Sequence, residues 1–203
     1  MNLMWDDRYS QPGFAYGTKP NAFLKSVVDV LPKGRILSLA EGEGRNAVFL
    51  AEQGYDVVAV DASPVGLIKA ERLAREREVS IATVTADLSD FYLGLGAWDG
   101  IVSIFCHLPT PVRERVHSAV VAALRPGGTL VLEGYNQHQL RLGTGGPRDL
   151  SMLFSLPDLR KQFAGLELSI AREVEREVHE GPYRNGVGAV VQIVGHKPSG
   201  STP

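Results

Sequence analysis

The sequence predicts an α/β fold: a seven-stranded, mostly parallel sheet with helices on both faces and an antiparallel pair of strands near its C-terminus. Three observations predict it. Short apolar runs alternate with longer amphipathic ones from residue 21 to residue 132, the pattern of strands joined by helical crossovers. Runs such as VVAV (57–60) have no polar face, as strands covered on both sides require. The last two apolar runs, 166–178 and 187–196, are joined by a turn at Gly181-Pro182 with no helix between them, so they pair antiparallel.

Each element follows from local signals. Phe23, Leu24, Val27, Val28 and Leu31 recur at helical spacing over 21–31, and Pro32 and Gly34 stop that helix. RILSLA (35–40) is the first strand and EGEG (41–44) a tight turn. Residues 45–53 form a helix closed by Gly54, and 57–60 the second strand. Ser63-Pro64 joins an N-cap to a proline at the first helical position. That helix runs to about residue 77 and is expected to bury Val65, Ile68 and Leu73, with its charges forming a solvated face. Residues 81–85 and 100–105 are the third and fourth strands. Residues 111–124 form a helix closed by RPGG (125–128), and 129–132 the fifth strand. The polar, Gly-rich stretch 137–147 is read as a mobile loop. A helix over 157–163 precedes the final pair, and the tail SGSTP is expected to fray.

The 203 residues suit one hydrophobic core. They are read as a single domain, with a cap segment at 1–20, a core at 21–197 and a tail at 198–203. With 44% hydrophobic and 22% charged residues, disorder and collagen-like repeats are excluded. A formal charge of −2 argues against a nucleic-acid partner, whose phosphates attract clustered Lys and Arg. The single cysteine, Cys106, excludes an internal disulfide and a multi-thiolate metal site. His107, His138 and His179 are too dispersed for a metal, so none is expected. A reducing, cytoplasmic location fits. The N-terminus lacks the basic start and apolar run of a signal peptide. No stretch reaches the ~18–20 apolar residues of a membrane span, so no membrane partner is expected. The expected assembly is a monomer or weak homodimer.

In an open parallel sheet, ligands bind outside the carboxyl ends of the strands, where strand order reverses. That rule selects residues 41–44, 61–63, 86–88, 105–108 and 133–135. A glycine turn after the first strand and Asp61 after the second form the pattern for an adenosine-containing ligand. Read literally, GEGRNA (42–47) fits the dinucleotide fingerprint and an NAD(P)-dependent oxidoreductase, although no Tyr-x-x-x-Lys constellation accompanies it. The turn also carries Glu41 and Glu43. Like charges ~6 Å apart at an effective dielectric of ~20 repel by roughly 3 kcal/mol per pair, which disfavours a pyrophosphate if both side chains point inward. S-adenosylmethionine has no phosphate and carries an ammonium and a sulfonium, so electrostatics favours it. A non-catalytic nucleoside-binding protein on the same fold is the third alternative.

Four segments resemble, in order and spacing, the motifs of class I S-adenosylmethionine-dependent methyltransferases. They are LSLAEGEGRNAVFLAEQGYDVVAVDAS (37–63), TADL (85–88), WDGIVSIFCHLP (98–109) and LRPGGTLVLEG (124–134). The resemblance covers about residues 20–197 and includes the final antiparallel pair that this family adds to a Rossmann-like sheet. The opening WDDRY…YGTKPN (5–21) is similar to the small-molecule branch that includes tellurite-resistance and thiopurine methyltransferases.

The resemblance implies that Ala40, Glu41, Gly42 and Gly44 line the methionine part of the cofactor, with Tyr16 covering its carboxylate. Asp61 would hold the ribose hydroxyls, and Ala62 and Ser63 would lie against the adenine. Asp87 would accept from the adenine amino group, the Leu88 amide would donate to the ring, and Phe105 would sit near the sulfonium. The chain departs from the family at Ser38, where Asp is common, at Ala40, where the first Gly is usual, and at Glu41, where a small residue or Cys is frequent. Ser38 and Glu41 together suggest that the acidic group near the ammonium has moved. The Asn/Asp-Pro-Pro-aromatic motif of nucleic-acid amino-methylating enzymes is missing after the fourth strand, which points to a small-molecule acceptor.

Simpler roles stand beside these. Asp61 is also an N-terminal charge for the following helix, and Asp87 also a turn residue. His107, titratable near neutral pH at a strand's carboxyl end, is the candidate general base; its alternative is a packed loop histidine. Cys106 reads as a small buried apolar residue. Tyr135, His138, His179, Tyr183 and Arg184 are candidates to line an acceptor pocket. The expected reaction is an in-line displacement at the sulfonium methyl by a thiol, a chalcogen oxyanion or a similar acceptor. Positioning alone can supply ~7–11 kcal/mol of its barrier.

Overall fold

Strand order reverses at the centre of the sheet, and that reversal positions everything else. The computed structural model describes residues 2–200; of the tail expected to fray, residues 201–203 lie outside the described residues. The strands are β1 (Arg35–Leu39), β2 (Asp56–Asp61), β3 (Ala82–Thr85), β4 (Trp98–Ile104), β5 (Leu124–Tyr135), β6 (Glu167–His179) and β7 (Asn185–His196). They lie in the order β3-β2-β1-β4-β5-β7-β6. From β1 the chain steps outward through β2 and β3, then returns to place β4 on the other flank of β1, with Ile36 beside Val57 on one side and Gly100 on the other. β1 to β5 are parallel. β7 runs antiparallel to both β5 and β6, as its short connection requires.

The helices are α1 (Asn2–Tyr9), α2 (Ala22–Val27), α3 (Arg45–Glu52), α4 (Pro64–Glu76), α5 (Thr110–Ala123), α6 (Gln139–Leu142) and α7 (Leu156–Gln162). The period-2 alternation of the strands divides the core between two faces. Ile36, Val57, Val102 and Val131 pack with Leu24, Leu50 and Leu67 of α2, α3 and α4. Leu37, Val60, Ile101 and Leu130 pack with Val116, Val120 and Leu159 of α5 and α7. Each fully buried Leu or Ile contributes about 1.5–3 kcal/mol relative to exposure.

Three local expectations are corrected. α4 buries Leu67, Ala70, Leu73 and Ala74, while Ile68 is 65% exposed and Val65 half-buried. One residue rotates a helix by about 100°, and the seating of Ala70 against the Gly44 backbone decides which face turns inward. β5 begins at Leu124, paired with Trp98, so RPGG lies inside the strand at a register shift rather than before it. Residues 137–147, read as a loop, contain the helix α6 and are bonded to β7. Gln139 is buried there; it accepts from the Ala189 amide and donates to Thr144 Oγ1 and the Gly145 carbonyl, and the Asn185 amide donates to the Thr144 carbonyl. One glutamine and one threonine stitch the segment to β7. Among the described residues, no helix is long and apolar enough to cross a membrane.

Candidate functional site

The turn after β1 is built from positive-φ backbone: Ala40 at +49°, Gly42 at +63° and Gly44 at +89°. Glycine is needed twice for space as well as for φ. A Cβ on Gly44 would come within 2.5 Å of the Ala70 Cβ, and one on Gly42 within 2.5 Å of the Tyr9 hydroxyl. The turn therefore lets α3 start hard against α4 and lets Tyr9 of α1 close over it.

Both glutamates of the turn are buried and have protein partners. Glu41 Oε1 accepts from the Asn46 and Ala47 amides, each at 2.9 Å, and Oε2 accepts from the Ser38 hydroxyl. The carboxylate thus occupies the first-turn amides of α3, where positive dipole charge collects. Burial still pushes its pKa upward, against those bonds and the nearby Arg45. Glu43 accepts from the Ala15 amide at 2.7 Å and from Lys69 Nζ at 2.8 Å. Both side chains thus point inward and line the cleft rather than facing solvent, but each carboxylate is also satisfied within the fold.

Asp61, at the end of β2, accepts from the Gly42 amide through Oδ2 and from the Ser63 amide through Oδ1, both at 2.8 Å. Two backbone donors leave this carboxylate further acceptor capacity. Burial raises its pKa, opposed by the backbone amides. Asp87 is exposed, and its hydrogen bonds from Ser89 hold its pKa below the usual range.

Across the switch point, Phe105 takes a φ of +51° at the end of β4, held by its amide on the Glu133 carbonyl at 2.6 Å. Cys106 is buried, and burial pushes its thiol up to about 12. His107 Nδ1 donates to the Met152 carbonyl at 2.9 Å, and Nε2 accepts from the Tyr135 amide at 3.2 Å. Burial drives its pKa down to about 3. Both ring nitrogens are committed to backbone, an arrangement that fits the alternative of a packed, neutral histidine tying Met152 to the end of β5 better than a general base.

One cleft of about 930 Å³, including its open mouth, gathers most of the predicted residues. Tyr16, Ala40, Glu41, Asp61, Ala62, Asp87, Leu88, Phe105 and His107 all line it. Gly42, Gly44 and Ser63 do not. Gly42 and Gly44 shape the turn from behind, and Ser63, fully buried, caps α4 through the Gly66 amide. Of the acceptor-pocket candidates, Arg184 lines the cleft and Tyr135 is buried beside Phe105, with ring centroids 4.7 Å apart. His138, His179 and Tyr183 are exposed. Sequence reasoning missed Trp5 and Tyr9 of α1, and Arg45 and Asn46, which also line the cleft. The aromatic residues of the opening segment and the polar pair inside GEGRNA were the available signals.

A family model described as a methyltransferase domain matches residues 36–128. The 2-heptyl-1-hydroxyquinolin-4(1H)-one methyltransferase of Mycobacteroides abscessus is 27% identical over 155 residues, covering 75% of this chain and 66% of that protein. The tRNA 5-carboxymethoxyuridine methyltransferase of Escherichia coli is 31% identical over 122 residues, covering 53% of this chain and 42% of that protein. The match to this chain thus spans less than two thirds of the length of both relatives. A structure solved for the conversion of a disulfide bond into a thioacetal group during echinomycin biosynthesis superposes with a TM-score of 0.78 at 19% identity, covering 100% of this chain and 93% of that one. The strand order, the cleft at the switch point and the methyltransferase domain matched over residues 36–128 agree, and together they support a class I S-adenosylmethionine-dependent methyltransferase.

Proposed function

We propose that this chain transfers the sulfonium methyl of S-adenosylmethionine to a small-molecule acceptor, a thiol, a chalcogen oxyanion or a similar nucleophile. The observation that carries the choice of cofactor is Glu41. A dinucleotide would set its pyrophosphate on the first-turn amides of α3, and a buried carboxylate already holds the Asn46 and Ala47 amides there. A phosphate-free adenosine cofactor needs nothing from those amides, so the donor set fits S-adenosylmethionine and opposes NAD(P).

In this reading Asp61 accepts from the ribose hydroxyls, with Ala62 and Asp87 on the adenosine side and the Leu88 amide facing the ring. Tyr16, Ala40 and Phe105 flank the methionine portion and the sulfonium. The bound cofactor supplies a methyl carbon activated by its sulfonium: the acceptor's electron pair forms the new bond as the C–S bond breaks onto sulfur, leaving S-adenosylhomocysteine. The chain contributes position and exclusion of water. With His107 committed to backbone on both nitrogens, the acceptor reaches the cleft already nucleophilic, which suits thiolates and oxyanions better than protonated amines. The 1-hydroxyquinolinone named for the mycobacterial relative supports a small acceptor, and the net charge of −2 supports it over a polyanion.

The test is S-adenosylhomocysteine formation from S-adenosylmethionine with thiols, chalcogen oxyanions, hydroxyquinolinones and tRNA as acceptors. Turnover with a small-molecule class is expected. Turnover on tRNA alone would overturn the reading, and cofactor binding without turnover on any acceptor would favour a non-catalytic nucleoside-binding role.

A further inference from the structure

The wall of the cleft on the β5–β7 side carries a positive charge that the fold leaves unbalanced. Arg184, in the turn that leads into β7, lies with its guanidinium carbon 4.1 Å from the Tyr16 ring centroid and 4.1 Å from that of Phe105. Its side chain is 11% exposed and lines the cleft. Among the described residues it makes a single side-chain hydrogen bond, to Glu180 Oε2 at 3.5 Å, and Arg45 already holds that oxygen at 2.6 Å. The other oxygen of Glu180 takes Asn21 at 2.9 Å and a long contact from Arg176, whose main partner is Glu133. Three guanidinia therefore share two carboxylates in a largely buried cluster. A guanidinium does not shed its proton. Aromatic faces offset part of its charge but offer none of the acceptors that its five N–H donors seek.

A second observation points the same way. Among the described residues, the Tyr135 hydroxyl is the one buried side-chain polar atom with no hydrogen-bond partner. It lies on the Arg184 side, since a Cβ placed on Gly145 would be 2.9 Å from that hydroxyl and 3.4 Å from Arg184 Cγ. An under-bonded cation thus lines the cleft with a spare hydroxyl buried behind it, near the stem of the same side chain, across the switch point from Asp61 and Asp87.

We propose that Arg184 recognises an anionic group, a carboxylate or oxyanion, on the methyl acceptor, so that the substrates of this cleft are small anions. The inference rests on the methyltransferase reading above. The adenosine side of the cleft is set by Asp61 after β2 and Asp87 after β3. Arg184 stands equally close to Phe105, which that reading puts beside the sulfonium, and to Tyr16, which it puts by the methionine portion, so it faces the junction at which methyl donor and acceptor meet. The cofactor's own methionine carboxylate offers the same chemistry, and the experiment separates the two sources.

The probes are 2-mercaptobenzoate and its neutral analogue 2-mercaptobenzamide, titrated calorimetrically into the full chain saturated with S-adenosylhomocysteine. Wild type should bind the carboxylate at least ten-fold more tightly than the amide. Arg184→Gln should erase that preference, Arg184→Lys should retain part of it, and both should keep S-adenosylhomocysteine affinity within two-fold. The wild-type comparison needs no variant and stands even if one fails to fold. Equal binding of the two probes by wild type, or binding of neither, overturns the inference. So does an Arg184→Gln protein that binds S-adenosylhomocysteine ten-fold more weakly yet binds methylthioadenosine, which lacks the carboxylate, unchanged; that result assigns Arg184 to the cofactor. Failure of wild type to bind S-adenosylhomocysteine sinks the methyltransferase reading itself, whereas tight binding without an anion preference sinks only this inference.

Discussion

Glu41 Oε1 accepts the amide of Asn46 at 2.9 Å, so a side chain from the turn after β1 closes the N-terminus of the helix that the same turn launches. Two adjacent amides share that oxygen and a serine hydroxyl holds the other, which makes this carboxylate both a cap and a barrier to phosphate. Glu41→Ala should destabilise the protein by about 2–3 kcal/mol, because charge-assisted bonds are lost and buried donors are orphaned. Urea unfolding checks this, and a loss under about 1 kcal/mol would contradict the capping role.

Gly44 combines a φ of +89° with an approach that leaves no room for a side chain beside Ala70. Gly44→Ala should cost about 3 kcal/mol from backbone strain and steric overlap together. Gly54→Ala, also at positive φ but with open space around its missing Cβ, should cost only about 1 kcal/mol. Equal effects in thermal melts would show that the α3–α4 contact is looser than described.

Asp61 is the only predicted cofactor residue whose carboxylate is both buried and bonded to two turns, through Gly42 and Ser63. Asp61→Ala should weaken S-adenosylhomocysteine about 100-fold, or ~2.7 kcal/mol, as a bidentate charged acceptor is removed. Calorimetry reads the affinity, and a melting curve separates local loss from unfolding. An unchanged dissociation constant in a folded variant would refute the ribose role.

Two histidines make stability depend on pH. Burial holds His107 down to about 3 and His117 down to about 4, against about 6.5 unfolded. Both are neutral in the fold, so their contribution is present above pH 6.5 and is lost as pH falls toward the folded values. Lowering the pH from 7 to 5 should cost about 2 kcal/mol for each. His107→Gln should flatten that slope by one histidine's share while turnover at pH 7–8 stays within a few-fold. A hundred-fold loss of turnover in a folded His107→Gln protein would restore the general base.

Much of this architecture was legible because it rests on local rules. The apolar strands, the Ser63-Pro64 start, the Gly54 stop and the helix-free final pair each announce one element. Asp61 and Phe105 could be located because a ligand site follows from strand ends, not from long-range contacts. What stayed hidden depends on partners distant in sequence. The backbone partners of His107, at Met152 and Tyr135, are 45 and 28 residues away. The burial of Gln139, which holds down a stretch whose composition reads as mobile, depends on Ala189. Glu41 was legible as a departure from the family that the sequence resembles, but its cap on α3 follows from the side-chain direction that the turn imposes. Ile68 was misplaced because a choice between adjacent helix faces is made by the surface that the helix meets.

The central claim is that the turn after β1 admits a phosphate-free adenosine cofactor and refuses a dinucleotide. Calorimetric titration of the full chain with S-adenosylhomocysteine and with NADH tests it most directly. S-adenosylhomocysteine should bind and NADH should not; tight NADH binding without S-adenosylhomocysteine binding would contradict the account.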